Sequence, residues 1–295
     1  MSYEVQDAIV AYLDICGFTK FVRKKESDSA VLLQYLDRMM KSACKTKFGE
    51  NAPFKYEQFS DSIFFYYIVD GENSELFLTF LEIVGTVQYE IFVRYGLPVR
   101  GAVKKGRLSI TGTVSGNIIV DVYKMESEKA GWFRVLLDKD LVSKIPGNIL
   151  EDITYRDDEH YALNFLVLTS IIRNTDDLGT ILMKFRDSLL KVIDGESEDQ
   201  SEFMKPCDVD TLGDFCEASI IENRYGHLIM YYNNICVCYQ MNELCIDKNL
   251  ECESVCTTIK QFKKHLLEYP TNKLALKNAW ISLQNQFIKR KHRAG

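Results

Sequence analysis

The sequence lacks internal repeats and low-complexity segments, and with 46% hydrophobic and 26% charged residues it reads as an ordinary globular chain. No stretch reaches the roughly 18 consecutive apolar residues of a membrane span. The start, MSYEVQDAIV, lacks the basic-then-apolar pattern of a signal peptide. A cytoplasmic protein with no membrane association is expected. Basic charge is not in excess: 36 Lys and Arg against 42 Asp and Glu leave a net charge of −6. That speaks against a broad nucleic-acid surface and leaves room for a local basic pocket. There is no paired CxxC knuckle. Seven of the nine cysteines fall in the C-terminal third (Cys207, Cys216, Cys236, Cys238, Cys245, Cys252 and Cys256). Cys236 and Cys238 are expected on one face of a strand. Reduced cysteines acting as small hydrophobes outweigh structural zinc.

What is present is an order of elements. Residues 8–13 are apolar and β-prone and predict a buried strand. A helix follows from about Asp28, with Leu32, Tyr35, Leu36, Met39 and Ala43 at helical spacing. Phe54 to Phe59 and Ile63 to Val69 predict a hairpin around Ser60-Asp61-Ser62. Asn73 is an N-cap candidate for a helix that runs to Tyr95 and stops at Gly96-Leu97-Pro98. That helix is apolar nearly all round, which predicts burial. Val99 to Val103 is a fourth strand, and the order βαββαβ predicts an α+β fold with a ferredoxin-like core. Beyond it, Gly116 to Gly131 predicts a helix, Phe133 to Leu137 a strand, and Ile153 to Leu168 a closing hairpin turning at Asp157-Asp158-Glu159. The acidic run from Asp194 to Glu202 predicts a linker or exposed loop. Residues 209–295 read as mainly helical, with one apolar, Tyr- and Cys-rich stretch at Leu228 to Tyr239. The expected division is one domain over 1–170 and a mostly helical C-terminal extension over 171–295.

Two aspartates carry the functional reading. Asp14 ends the first strand in AIVAYLDICGFTKF, and Asp61 sits at the hairpin in YEQFSDSIFFYY. If these segments pair, two carboxylates converge, and they repel unless a divalent cation lies between them. Magnesium or manganese held in this way usually holds a nucleotide's phosphates. After Asp14, the turn Ile15-Cys16-Gly17-Phe18-Thr19 leaves backbone N–H groups for phosphate. The competing reading is an Asp14 that caps the following helix.

LDICGFT resembles the D-I-x-G-F-T signature of class III nucleotide cyclases, whose second metal aspartate lies in the hairpin where Asp61 stands. Gly96-Leu97-Pro98-Val99-Arg100-Gly101-Ala102-Val103 is similar to that family's fourth-strand segment, and Ser115-Gly116-Asn117 opens the helix that follows. The resemblance spans about residues 7–140 and implies the βαββαβ-based cyclase fold. It implies two divalent ions, Mn²⁺ or Mg²⁺, on Asp14, Asp61 and the Ile15 carbonyl, acting in an in-line displacement at the α-phosphorus. It also implies that amides of Gly17, Phe18 and Thr19 hold phosphates, that Arg100 pairs with the terminal phosphates, and that sites form across a homodimer. Taken alone, Arg100 reads as a strand-end arginine paired with a surface carboxylate.

The departures are informative. Where purine cyclases carry an Asn for the ribose and an Arg for the α-phosphate, this chain has Val120 and Lys124. Lysine offers a point charge, not a bidentate fork. Lys124 is thus a candidate contributed by the second subunit, against an ordinary exposed helix lysine. At the two base-reading positions stand Glu57 and Thr113, and Tyr56 has the bulk to fill space a purine needs. Successive strand residues face opposite sides, so Tyr56 and Glu57 cannot both point at the base. Val122-Tyr123-Lys124-Met125-Glu126-Ser127 and Phe59-Ser60-Asp61-Ser62 resemble the pyrimidine cyclases of bacterial anti-phage (Pycsar) systems. That resemblance implies conversion of UTP or CTP to a cyclic nucleotide that activates a separate effector. A purine cyclase, with Glu57 favouring GTP, and a catalytically dead nucleotide-binding dimer are the alternatives. A polymerase palm, which shares the core order, stands third because a basic groove is missing.

Overall fold

The computed structural model describes residues 5–24, 26–48, 53–70, 74–111, 113–131, 133–145, 147–157, 160–172, 177–194 and 226–246. Its centre is β1 (Val5–Ile15), whose apolar, β-branched residues pair on both edges. On one side lies β3 (Ser62–Ile68), hairpinned to β2 (Phe54–Phe59); on the other lies β4 (Val99–Thr111). β4 also pairs with β5 (Thr113–Ser115) and, in parallel, with β6 (Val135–Leu137). β8 (His160–Leu163) and β7 (Thr154–Asp157) close the order β2-β3-β1-β4-β6-β8-β7. Through β4 the chain follows the expected βαββαβ order, with α1 (Phe18–Lys24) and α2 (Glu26–Phe48) after β1 and α3 (Ser74–Tyr95) before β4.

Helices α2 and α3 cover one face of the sheet. There Ile9, Ala11, Leu13 and Ile15 meet Phe65, Tyr67 and Phe80 in one apolar cluster. The Phe65 and Phe80 rings stack at 4.4 Å. α3 alone among the described helices has the length and hydropathy of a membrane span, yet 83% of that window is buried in the protein. It is a core helix, as its all-round apolar pattern predicts. On the other face α4 (Asn117–Lys129) packs Ile118 and Val122 on Ala8, Val10 and Ala102. Gly116 opens α4 at φ 145°, where an added Cβ would lie 2.6 Å from the Arg107 carbonyl, so only glycine fits that turn.

Several expectations are corrected. β4 does not end at Val103 but runs to Thr111, because Val99 to Ser109 pair with the whole of β1 and Ser109 to Thr111 pair with β5. The predicted closing hairpin ends at Leu163; Phe165–Ile172 is a helix, α7. Asn164 breaks the strand: its side chain donates to the Asp152 carbonyl and its own carbonyl accepts from Leu168 N. A fully buried apolar run such as FLVL has no periodicity to separate strand from helix. Between β6 and β7 lie the short helices α5 (Lys139–Val142) and α6 (Gly147–Ile153). The Tyr- and Cys-rich stretch is helical over 226–238 (α9), not a strand. Cys236 is therefore buried while Val237 is 46% exposed, and Cys236 and Cys238 share no strand face. α8 (Leu178–Asp194) and α9 pack with Tyr89, Phe92, Phe133 and Phe165 in a second apolar cluster. Chain on both sides of the expected 170/171 boundary thus shares one core. Asn73, the acidic run beyond Asp194, and the stretches 209–225 and 247–295 lie outside the described residues.

Candidate active site

The end of β1 brings the candidate residues together. Asp14 lies opposite Ser62 on β3 and opposite Arg100 on β4. The hairpin tip carrying Asp61 is pinned there, because Ile15 N donates to the Asp61 carbonyl at 3.1 Å. Ser60 turns the hairpin at φ 53°, within the left-handed region that turns often use. Beyond Ile15, Gly17 at φ 82° reverses the chain into α1, and its carbonyl accepts from Lys20 and Phe21. The amides of Gly17, Phe18 and Thr19 therefore precede the helical ladder. Phe18 is 4% exposed and anchors the turn in the core.

Charge concentrates at this corner. Burial, the largest influence, pushes the Asp14 carboxyl above its usual range; Arg100 opposes that rise, the Asp61 charge adds to it, and a Ser62 hydrogen bond opposes it. The Tyr12 hydroxyl shares a 2.8 Å hydrogen bond with Ser62 Oγ, so a short polar chain leads to Asp14. Arg100 Nε lies 3.4 Å from Asp14 Oδ2 and 2.5 Å from Glu126 Oε1 on α4. Arg100 thus contacts carboxylates of the protein itself, but they are half-buried Asp14 and buried Glu126 rather than the surface carboxylate that its reading in isolation predicts. Asp14, Asp61 and the Ile15 carbonyl offer only oxygen, the donor set of hard divalent cations. Two mutually repelling carboxylates, one of them disfavoured as an anion by burial, fit such a cation.

The other candidates divide. Glu57 on β2 pairs with Phe64 and so lies exposed on the α4 face of the sheet, where its charge adds to the burial that raises the Tyr66 hydroxyl. Tyr56 points the opposite way: its hydroxyl donates to Asp37 Oδ1 on α2 at 2.5 Å, and its ring packs on the apolar core. Alternation along β2 excludes it from the Asp14 corner. Thr113 begins β5, opposite Thr111. Lys124 is exposed on α4 and makes no ion pair with Asp14 or Asp61 within the chain's described residues.

Sequence reasoning gave Tyr12, Ser62 and Glu126 no role of their own. A signal for Glu126 existed: Ile118, Val122 and Glu126 recur every fourth residue, which puts a glutamate on the apolar, sheet-facing line of α4.

No protein-family model matches the sequence, and comparison with curated proteins finds no match. Among solved structures, the chain is similar to the guanylyl cyclase Cya2 at TM-score 0.39 and 11% identity, over 55% of this chain and 93% of that one. It is also similar to a class III adenylyl cyclase-like ATP-binding protein from Pseudomonas aeruginosa at TM-score 0.38 and 11% identity. That likeness spans 61% of this chain and 40% of the other.

Proposed function

We propose that this chain is a metal-dependent nucleotide cyclase that converts UTP or CTP to the 3′,5′-cyclic nucleotide and pyrophosphate. The observation that carries the reading is the meeting of Asp14 and Asp61 at the end of β1, with the glycine turn after Asp14 and Arg100 opposite it. Asp14, Asp61 and the Ile15 carbonyl would hold two divalent ions, Mn²⁺ or Mg²⁺, which when bound activate the ribose 3′-hydroxyl and neutralise the leaving pyrophosphate. The amides of Gly17, Phe18 and Thr19 receive the β- and γ-phosphates, and Arg100 supplies positive charge beside them. Glu57 accepts from the base on the α4 face, which favours cytosine among pyrimidines because uracil has no exocyclic amine. Thr113 is the second base contact, and Tyr56 has no part in it.

Lys124 acts from the second copy of a homodimer. Exposed Phe59, Val120 and Tyr123, at 70%, 50% and 51%, supply apolar surface for that partner. The cyclic product serves as a messenger to a separate effector in antiviral defence. Purified protein incubated with Mn²⁺ and each of ATP, GTP, CTP and UTP tests the reading. Cyclic CMP or cyclic UMP is expected, and product from GTP alone would replace it with a guanylyl cyclase. The Arg100–Asp14 contact, with Val120 and Lys124, favours a second reading as a catalytically dead nucleotide-binding dimer. NTP binding without any product supports that one. Mixing Asp61→Ala with Lys124→Ala chains is expected to restore part of the activity. Mixed dimers that stay inactive would confine the site to one chain.

A further inference from the structure

Arg100 serves two carboxylates that are unequally buried. The Glu126 side chain is 2% exposed, against 21% for Asp14 and 23% for Arg100. The deeper carboxylate, cut off from water, makes the stronger electrostatic demand on the guanidinium and holds the shorter charge contact, while the Nε–H donates to Asp14 across a long 3.4 Å. A divalent cation at Asp14 needs the reverse of what Arg100 supplies there, because a guanidinium on that carboxylate repels the ion and competes for the same oxygens. We infer that Glu126 is a positioning residue that draws Arg100 towards α4 and so leaves Asp14 available to a divalent cation.

The local charge agrees. Three carboxylates (Asp14, Asp61, Glu126) and one guanidinium (Arg100) sum to −2, which one divalent cation neutralises; without Glu126 the sum is −1. The inference rests on the two-carboxylate reading above, and its test separates the two.

Mn²⁺ is titrated into the full chain without nucleotide, and free Mn²⁺ is read from its EPR signal. Asp14→Asn sets the reference and is expected to lose the site. Glu126→Gln is expected to weaken Mn²⁺ about 10-fold, the lower end for residues that orient metal ligands. Adding Arg100→Met to Glu126→Gln is expected to restore affinity, since the competing charge is gone. Glu126→Asp, which keeps a carboxylate in the core but shortens its reach, is expected to fall between. Unchanged affinity in Glu126→Gln or Glu126→Asp, with the site lost in Asp14→Asn, overturns this inference alone. A weakening that Arg100→Met does not reverse also overturns it, since the effect then bypasses Arg100. Wild-type affinity in Asp14→Asn overturns both this inference and the reading beneath it.

Discussion

The two faces of β1 differ along the same strand. Towards α2 and α3 point Ile9, Ala11, Leu13 and Ile15, none more than 3% exposed. Towards α4 point Ala8 and Val10, fully closed, and then Tyr12 and Asp14, which are partly open. Both faces share the neighbours β3 and β4, so pairing does not explain the contrast. Cover does. The first face lies under two long helices, whereas α4 brings Ile118, then Val122, then a charged Glu126 along its sheet side. Stability resides where both layers stay apolar. A charged corner forms where the apolar cover runs out.

The largest expected effects test that division directly. Asp14→Ala and Asp61→Ala are each expected to lower cyclisation about 10³-fold or more, the several kcal/mol that metal-assisted charge stabilisation supplies. Both should keep a cooperative melting transition. On the opposite face, Phe80→Ala removes a fully buried ring stacked on Phe65 and is expected to cost about 3–5 kcal/mol in denaturant unfolding. It should leave the turnover of the folded fraction unchanged. An Asp14→Ala protein that fails to fold, or a Phe80→Ala protein that folds well but turns over slowly, would erase the distinction between the faces.

A milder change gives the division a pH dependence. Burial, against the opposition of Arg100, raises the Asp14 carboxyl, and the Asp61 charge adds to the rise, so the folded state holds that proton more tightly than the unfolded chain does. Stability from this group is present below the ordinary aspartate value and is lost as pH rises through the raised one. Without cation at neutral pH, Asp14→Asn is therefore expected to melt above wild type. The gap should close as pH falls towards 3.8, the ordinary value. Saturating Mn²⁺ should reverse the order, since only the carboxylate gains from the ion. An Asn variant that melts below wild type in the absence of cation would show the corner to be a stabilising ion pair instead.

Much of this frame was legible in the residues. The apolar, β-prone run in AIVAYLDI and the Ser-Asp-Ser turn place Asp14 and Asp61 at a strand end and a hairpin tip, where they are found. What stayed hidden depends on which neighbour covers a residue. Tyr56 and Glu57 each suit a base pocket by chemistry, and only the register of β2 on β3 sends Tyr56 to Asp37. The run at 165–168 is buried at every residue, so its hydropathy carries no period. At 228–239 the buried residues Leu228, Ile229, Tyr232, Ile235 and Cys236 do follow a helical spacing, which the β-prone Tyr and Cys content obscured. Glu126 was hidden for a related reason: its partner Arg100 lies on a strand 26 residues earlier, and spacing along α4 alone does not reveal it.

The smallest expected effect comes from a second charge pair on the same face of β4. Lys104 lies two alternations beyond Arg100, and its Nζ is 2.9 Å from Asp138 Oδ2, with side chains 32% and 21% exposed. The hydrogen bond to Asp138 raises the Lys104 ammonium against the cost of burial, so the pair is intact at neutral pH and weakens only above the ordinary lysine value of 10.5. Both partners reach water, so Lys104→Ala is expected to cost less than about 1 kcal/mol and to leave Mn²⁺ affinity unaltered. Arg100 and Lys104 thus share a strand face, and they differ in that Lys104 meets one partly exposed carboxylate while Arg100 meets two, one of them the buried Glu126. A gain of Mn²⁺ affinity in Lys104→Ala as large as the loss in Glu126→Gln would mean that total charge, rather than the buried position of Glu126, governs the corner.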